Sequence, residues 1–299
     1  MIGEARSLEY HAKSIGHIAF RALSEDQVMS ILGTTSKGIF IRTADRWIVF
    51  VSFEPYPSPL TITIAEPTKF PPVTVGAPVL MSSGTMVLPS AGIAISAHLD
   101  AVWYPPAASD KARPVSERLE SLRHLAQTIV SRKESPGLGA VLPSLLGLPV
   151  AGRVPRDHEP VLSSIVLLRQ ILRDGNASHA AEIINGLLGT GRGLTPSGDD
   201  FVLGLLLVLN RWPKAVWPGG DLRQLNLRVV EAAYQKTTTL SANLIECAAG
   251  GGSDERLVNV ADGLLTGNPG ESECISYVLE WGDSSGVDAL VGMAVALTL

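Results

Sequence analysis

The chain has 299 residues and a formal net charge of −5, and 45% of its residues are hydrophobic while 18% are charged. This composition is typical of a globular protein with a sizeable core, and its acidic balance gives no electrostatic footprint for nucleic acid. No uncharged apolar run approaches the roughly 18 residues of a membrane span. The two cysteines lack metal-ligand spacing and the first twenty residues do not resemble a signal peptide. We therefore expect a cytoplasmic protein with no nucleic-acid or membrane partner.

The front third of the chain has the pattern of short β-strands. The segment 24–32 could form one short helix, and β-branched runs separated by turn residues then predict strands. The predicted strands cover residues 38–43, 46–53, 60–64, 78–82, 85–88 and 92–97. Prolines crowded between residues 55 and 78 restrict the neighbouring strands to sheet edges or strand ends. A proline-containing linker follows at 104–115.

The rest of the chain has the apolar periodicity of α-helices. The predicted helices cover residues 116–132, 159–173, 177–188, 198–211, 222–236, 240–249, 254–265, 272–281 and 286–299. Strands followed by helices indicate an α+β fold, with a small N-terminal β-rich domain and a larger, mostly α-helical domain. We place the two domains at residues 1–110 and 111–299.

A polar motif recurs in the helical part. Residues 191–200 read Gly-Arg-Gly-Leu-Thr-Pro-Ser-Gly-Asp-Asp, and the pattern Ser-Gly-x-Asp-x-x-x-Gly occurs at 197–204 and again at 285–292. The simplest interpretation is a capping box, in which the serine accepts from a backbone amide, a contact worth about 1 kcal/mol. The last glycine of each copy, Gly204 and Gly292, lies inside an apolar helix and costs about 1 kcal/mol against alanine, which predicts close contact between the two helices.

A functional interpretation rests on the glycine that directly follows each serine. A capping box does not require it, and a missing Cβ lets a ligand approach the helix end, where amides and the helix dipole favour an anion. We therefore expect the two helix N-termini to face one shared ligand. The candidate catalytic residues are Asp199, Asp200 and Asp288. The candidate substrate-binding residues are Arg192, Gly193, Thr195, Ser197, Gly198, Ser241, Asn243, Ser285 and Gly286.

The chemistry of this site is limited by its acids. Gly193 and Gly198 have the spacing of a P-loop, but Asp199 and Asp200 stand where that motif needs Lys and Ser or Thr. The acids would repel phosphate unless Arg192 balances the charge or Mg²⁺ bridges to the ligand. Alternatively, one acid accepts a substrate N–H or acts as a general base.

Three functions remain open. The first is an enzyme subunit that binds a small anionic metabolite. The second is a Mg²⁺-dependent hydrolase of a phosphorylated or anionic small molecule, with Asp199, Asp200 and Asp288 as metal ligands. The third is a non-catalytic structural subunit of a multi-subunit enzyme, in which both turns are only helix caps.

The motifs at 191–200, 238–243 and 282–293 resemble a bacterial family of uncharacterised domains. One branch of that family is the oxamate carbamoyltransferase subunit of allantoin degradation. The resemblance covers the helical part, and it implies an enzyme that interconverts carbamoyl phosphate and oxamate with oxalurate and phosphate and needs partner subunits. Both substrates of that enzyme are anionic, which agrees with helix N-termini that favour anions. The resemblance assigns no catalytic residues.

Overall fold

The computed structural model describes residues 8–23, 29–64, 71–82, 84–96, 98–132, 137–148 and 156–299. The chain forms two compact units, Met1–Pro106 and Ala107–Leu299. The described part of the first unit is mostly strand, and that of the second is mostly helix, so the expected α+β class is confirmed.

The first unit contains a sheet that closes on itself. Its strands follow the order β5-β4-β3-β2-β6-β7-β8-β1-β9, and β1 also pairs with β5. The strands are β1 (Leu8–Gly16), β2 (Met29–Thr35), β3 (Gly38–Arg42), β4 (Ile48–Ser52), β5 (Thr61–Ile64), β6 (Pro78–Ser82), β7 (Thr85–Leu88), β8 (Ile93–Ser96) and β9 (Val102–Trp103). One short helix, α1 (His17–Ala22), follows β1. Alternate apolar residues of these strands form the core of the unit.

The prediction of a helix at 24–32 is wrong from Met29 onward, because strand β2 begins there. Residues 24–28 lie outside the described part. Met29 and Ile31 are buried while Ser30 between them is half-buried, which is the two-residue period of a strand. This strand pairs antiparallel with both β3 and β6. All the strands predicted from the sequence are present, and Pro78 is the first residue of β6, where a missing N–H is tolerated.

The second unit is a bundle of helices. They are α2 (Val115–Arg132), α3 (Leu142–Leu146), α4 (Glu159–Arg173), α5 (Ala177–Leu187), α6 (Ser197–Arg211), α7 (Pro213–Val216), α8 (Leu222–Lys236), α9 (Thr239–Ala249), α10 (Glu255–Thr266), α11 (Glu271–Glu280) and α12 (Ser285–Leu297). A 3₁₀ turn at Gly137–Val141 precedes α3, and another at Arg156–His158 precedes α4. Among the described residues, no helix has the length and apolar character needed to span a bilayer.

Helices α6 and α12 form the centre of this unit. Nearly every residue of both helices is buried, which explains why they lack the polar face of a surface helix. A Cβ on Gly204 would lie 2.0 Å from the carbonyl oxygen of Ala289, and a Cβ on Gly292 would lie 2.0 Å from that of Phe201. The predicted contact between the two motif helices is therefore confirmed, and both glycines are required by the close approach of the backbones.

Candidate functional site

The two motif serines do not cap their helices. Pro196 is the N-cap of α6 and Ser284 is the N-cap of α12, and neither helix has a side-chain cap hydrogen bond. Ser197 and Ser285 are instead the first residues of their helices. The capping-box interpretation is therefore wrong for both copies, and the two hydroxyls are available for other partners.

Each serine hydrogen-bonds the acid of the other motif. The Ser285 side chain bonds Asp200, and the Ser197 side chain bonds Asp288. The crossing of α6 and α12 thus brings the two acids together, as we expected from the repeated pattern. Neither motif forms its polar contacts alone, because Ser197 bonds an acid 91 positions later in the chain and Ser285 bonds an acid 85 positions earlier.

Asp200 is almost fully buried, with 1% of its surface exposed. The Thr195 hydroxyl donates to its Oδ2 over 3.2 Å and lies 3.3 Å from Ser285 Oγ. Burial raises the pKa of Asp200 well above its ordinary value, and the negative charges of Asp288 and Asp199 act in the same direction. The hydrogen bonds from Ser285 and Thr195 oppose this shift only in part. The net effect raises the pKa of Asp200, which favours its protonated form relative to that of an exposed aspartate.

Asp288 is completely buried at the first turn of α12. Its Oδ1 accepts a 2.6 Å hydrogen bond from the amide of Leu138, in the 3₁₀ turn before α3. Burial raises the pKa of Asp288 to about 6, while the Leu138 amide, the Ser197 and Ser284 side chains and nearby His158 lower it. Within the described parts of the chain, its buried Oδ2 has no hydrogen-bond partner of good geometry. This unsatisfied oxygen is the group most in need of a ligand donor.

The residues around Leu138 are a part of the site that sequence reasoning missed. Gly137 has φ of 79°, and a Cβ there would lie 2.5 Å from Asp288 Oδ1, so only glycine fits against the carboxylate. His158 Nε2 donates to the Gly137 carbonyl over 2.8 Å and holds this turn in place. The glycines at 137 and 139 were the only local signal, and nothing in the sequence linked them to Asp288.

Four hydroxyl groups lie between the buried acids and solvent. Thr195, Ser197, Ser284 and Ser285, here called the hydroxyl layer, are all half-buried, whereas Asp200 and Asp288 are buried. A substrate would therefore touch the hydroxyls first. The acids beneath them fix the direction of each hydroxyl, which is how a buried carboxyl group positions a donor or acceptor.

Asp199 has a different role from Asp200. Its Oδ1 accepts from the Gly189 amide over 2.8 Å, and its Oδ2 accepts from the Thr237 hydroxyl. Both oxygens are used by the protein itself. Asp199 therefore fastens residues 189–195, here called the glycine loop, to the junction between α8 and α9, and it does not extend toward the hydroxyl layer.

The space beside each of the two glycines that follow the serines is occupied by backbone of a neighbouring helix. These glycines therefore do not open the helix ends to a ligand. A Cβ on Gly198 would lie 2.0 Å from the Leu187 carbonyl oxygen, and a Cβ on Gly286 would lie 2.0 Å from that of Val278. The amides are also engaged, since Gly198 donates to Thr190 and Gly286 donates to Trp281. Our expectation that these two positions leave room for an anion is therefore wrong.

The glycine loop is open at Gly193, whereas a Cβ on Gly191 would lie 2.6 Å from the Ser197 nitrogen. Gly191 and Gly193 have φ of 116° and 96°, and a Cβ on Gly193 would meet nothing within 4 Å. Arg192 and Gly193 are exposed, and within the part of the chain described here the amides from Arg192 to Leu194 donate to no backbone carbonyl. The Thr238 hydroxyl donates to the Leu194 carbonyl over 3.0 Å and braces the loop from α9. Exposed, unpaired amides beside a cation suit an anion.

Ser241 and Asn243 lie in the first half of α9. Asn243 is fully buried and donates to the Tyr234 hydroxyl over 2.7 Å, and that hydroxyl donates to Glu246. The Ser241 amide donates to the Thr238 hydroxyl, while the buried Ser241 hydroxyl has no hydrogen-bond partner in the described ranges. The contacts of Asn243 support the packing of α8 against α9.

A metal centre is not assembled from the described residues, because no group of three or more His, Cys, Asp or Glu side chains there is placed to hold an ion. The two carboxylate oxygens of Asp199 accept hydrogen bonds from Gly189 and Thr237. Asp199 is therefore not available as a metal ligand together with Asp200 and Asp288. The arrangement therefore does not favour the Mg²⁺ site that the three acids suggested.

The fold and the site define an α+β protein whose helical unit carries a paired acid and hydroxyl site at the crossing of two buried helices. A family model described as oxamate carbamoyltransferase subunit AllH matches residues 187–297. That segment runs from the glycine loop to the end of α12 and contains both motifs, so the resemblance noted from the sequence is confirmed for this region. No solved structure matches the chain.

Proposed function

We propose that this chain is a subunit of an oxamate carbamoyltransferase, and that its helical unit binds a small anionic metabolite where the glycine loop meets the hydroxyl layer. The observation that carries the proposal is the crossing of α6 and α12. It sets two buried acids beneath four hydroxyls, inside the segment that the family model matches. A carbamoyltransferase subunit implies partner subunits, and we include them in the proposal.

The electrostatics of the site are compatible with an anion. Two ionised carboxylates would repel it, but burial raises the pKa of Asp200 well above its ordinary value, which favours the neutral form of this group. Arg192 contributes positive charge from the exposed loop, and the loop amides contribute donors. Thr195 belongs to both the loop and the hydroxyl layer, and its hydroxyl donates to Asp200. An anion bound by the loop would therefore be separated from Asp200 by this one hydroxyl.

The proposed reaction needs one proton acceptor. The amide nitrogen of oxamate attacks the carbonyl carbon of carbamoyl phosphate, an N–C bond forms, the C–O bond to phosphate breaks, and the nitrogen loses a proton. We assign that proton to Asp288 through the Ser197 hydroxyl, because the pKa of Asp288 is about 6 and a base is most effective near the working pH. Orientation by the hydroxyl layer and charge neutralisation at the loop supply the remaining catalysis.

Binding experiments test the anion site directly. Calorimetric titration with oxamate and with carbamoyl phosphate compares the native chain with Ser197→Ala and Ser285→Ala. Loss of a hydrogen bond to a charged ligand predicts a dissociation constant about tenfold higher or more. Ser163→Ala is the matched control, since this exposed serine on α4 bonds only the Glu159 carbonyl of its own helix. Variants that bind like the native chain but melt earlier would support the structural-subunit alternative.

Carbamoyl transfer by the assembled enzyme tests the role of Asp288. Asp288→Asn keeps an acceptor for the Leu138 amide but removes the base. We expect kcat to fall at least about a hundredfold, the usual range for a general base, with a smaller change in KM. An assembled enzyme that keeps its native kcat with this variant would remove Asp288 from the mechanism.

A further inference from the structure

Four arginines surround a cavity near the C-terminal end of α12, the end opposite to Asp288. The cavity has a volume of about 350 Å³ and is lined by the side chains of Arg118, Arg123, Arg169 and Arg173 together with the C-terminal segment from Ala296 to Leu299. Leu297 lies nine residues after Asp288, which corresponds to about 14 Å along a helix at 1.5 Å per residue. The cavity is therefore distinct from the hydroxyl layer and the glycine loop.

Each arginine donates a hydrogen bond to a backbone carbonyl near the C-terminal end of a short or central helix. The bonds run from Arg118 Nη1 to Ala215 (3.2 Å), from Arg123 Nε to Leu146 (3.4 Å), from Arg169 Nη1 to Leu145 (3.2 Å), and from Arg173 Nη2 to Thr298. One N–H of each guanidinium thus caps the C-terminal end of α3, α7 or α12. Among the described residues, the structure shows no second hydrogen bond from any of the four guanidinium groups.

The helix ends balance the charge of the four arginines only in part, because α3 and α7 have five and four residues and therefore small dipoles. The lining contains no acidic side chain. Among the described residues, none of the four arginines forms an ion pair with a carboxylate. A surplus of positive charge on these side chains therefore remains, which a bound anion would reduce.

Arg118 and Arg169 show that this surplus is partly withdrawn from water. Arg118 is 7% exposed, and its buried Nε has no hydrogen-bond partner among the residues that the structure describes. Burial lowers the pKa of Arg118, and burial followed by the charge of Arg173 lowers the pKa of Arg169. A buried donor on a charged group is costly when it lacks an acceptor, so a ligand acceptor at this position would remove that cost.

We propose that this cavity is a binding site for a small dianion, a phosphate or a dicarboxylate, held by Arg118 and Arg169 with Arg123 and Arg173 at its exposed side. The apolar part of the lining, from Leu119, Leu145, Val216 and Leu297, accommodates the carbon body of an organic anion. The volume also fits this class, since ligand sites usually begin near 300 Å³. The inference does not depend on the function proposed for the glycine loop.

Calorimetry at low ionic strength tests the site with inorganic phosphate and with malonate as probes. We expect saturable heat with at least one probe, and a dissociation constant at least about tenfold higher in Arg169→Gln, because one charged donor is lost. Arg169→Lys keeps the charge and should restore part of the affinity. Arg223→Gln is the control, since this exposed arginine on α8 lies outside the cavity lining. A thermal melt without ligand verifies that each variant is folded.

A further variant separates this site from the glycine loop. Arg192→Gln should leave the affinity for the probes at the cavity unchanged. If Arg192→Gln weakens binding while Arg169→Gln does not, the anion occupies the loop, the proposed function gains support and the cavity proposal fails. Absence of both binding heat and a rise in melting temperature with either probe would also overturn it, because a ligand of the native state must raise that temperature.

Discussion

Replacement of Asp288 by asparagine should stabilise the protein at neutral pH. The carboxyl group is fully buried, and its pKa is raised from 3.8 to about 6 in the folded chain. The folded state therefore binds more protons than the unfolded state between these two values, so stability is lost as pH rises from about 4 to about 6. A shift of about 2 units at 1.36 kcal/mol each gives a penalty of about 3 kcal/mol above pH 6.

Asp288→Asn removes that penalty because it stays neutral at every pH. The asparagine oxygen still accepts from the Leu138 amide, and its NH₂ group takes the place of the unsatisfied Oδ2 beside the serine hydroxyls. We expect the variant to exceed the native chain by about 2–3 kcal/mol at pH 8 and by little at pH 4. Loss of activity in the same variant would be the trade-off between stability and function that buried active-site charges produce.

Urea denaturation at a series of pH values from 4 to 8 measures this difference. Tryptophan fluorescence reports on the helical unit through buried Trp212 and Trp217, and equal m-values for the two proteins verify that the comparison is valid. Asp110→Asn removes an exposed charge from the same unit and should show no such dependence on pH. A stability difference for Asp288→Asn that stays constant across this range would refute the reasoning.

Three other substitutions test the packing that positions the site, each by urea denaturation. Gly204→Ala should lower the free energy of unfolding by about 3 kcal/mol, since its Cβ would clash with the Ala289 carbonyl. As the control, Gly186→Ala on the exposed face of α5 meets no atom and should raise that free energy by about 0.5 kcal/mol. Thr237→Val leaves a buried oxygen of Asp199 without its donor and should cost about 2 kcal/mol, with Thr239→Val as the exposed control. Asp262→Ala leaves the buried guanidinium of Arg211 unpaired and should cost about 3 kcal/mol.

The helices were predictable because their signals are local. The apolar period and the flanking turns gave the bounds of α4 and α8 as they occur, and most other helices within one or two residues. The short helices α3 and α7 were missed, since four or five residues are too few to show a period. Strand β1 was also missed, because most of its residues are exposed or half-buried and its pattern is weakly apolar.

The site was predictable only where its residues repeat. The shared pattern indicated that Asp200 and Asp288 have equivalent surroundings, and their convergence follows from it. The third side of the site comes from Leu138, 150 residues before Asp288, and is held by a tertiary contact that no local pattern records. The glycines after the serines were misinterpreted for the same reason, because the carbonyl that fills each space belongs to the preceding helix.

The repeated motif has a geometric explanation in the crossing of α6 and α12. Ser197 bonds Asp288 as Ser285 bonds Asp200, and the Gly204 contact with Ala289 mirrors the Gly292 contact with Phe201. All of these pairs are related by the same offset of 88 residues, so each contact at the crossing has a counterpart between the equivalent residues of the two motifs. Each half supplies the hydroxyl for the other half's acid, and a substitution in one motif therefore changes the chemistry of both. The asymmetry needed for a reaction comes from what surrounds the pair: the Leu138 amide on Asp288, and the Thr195 hydroxyl and glycine loop on Asp200.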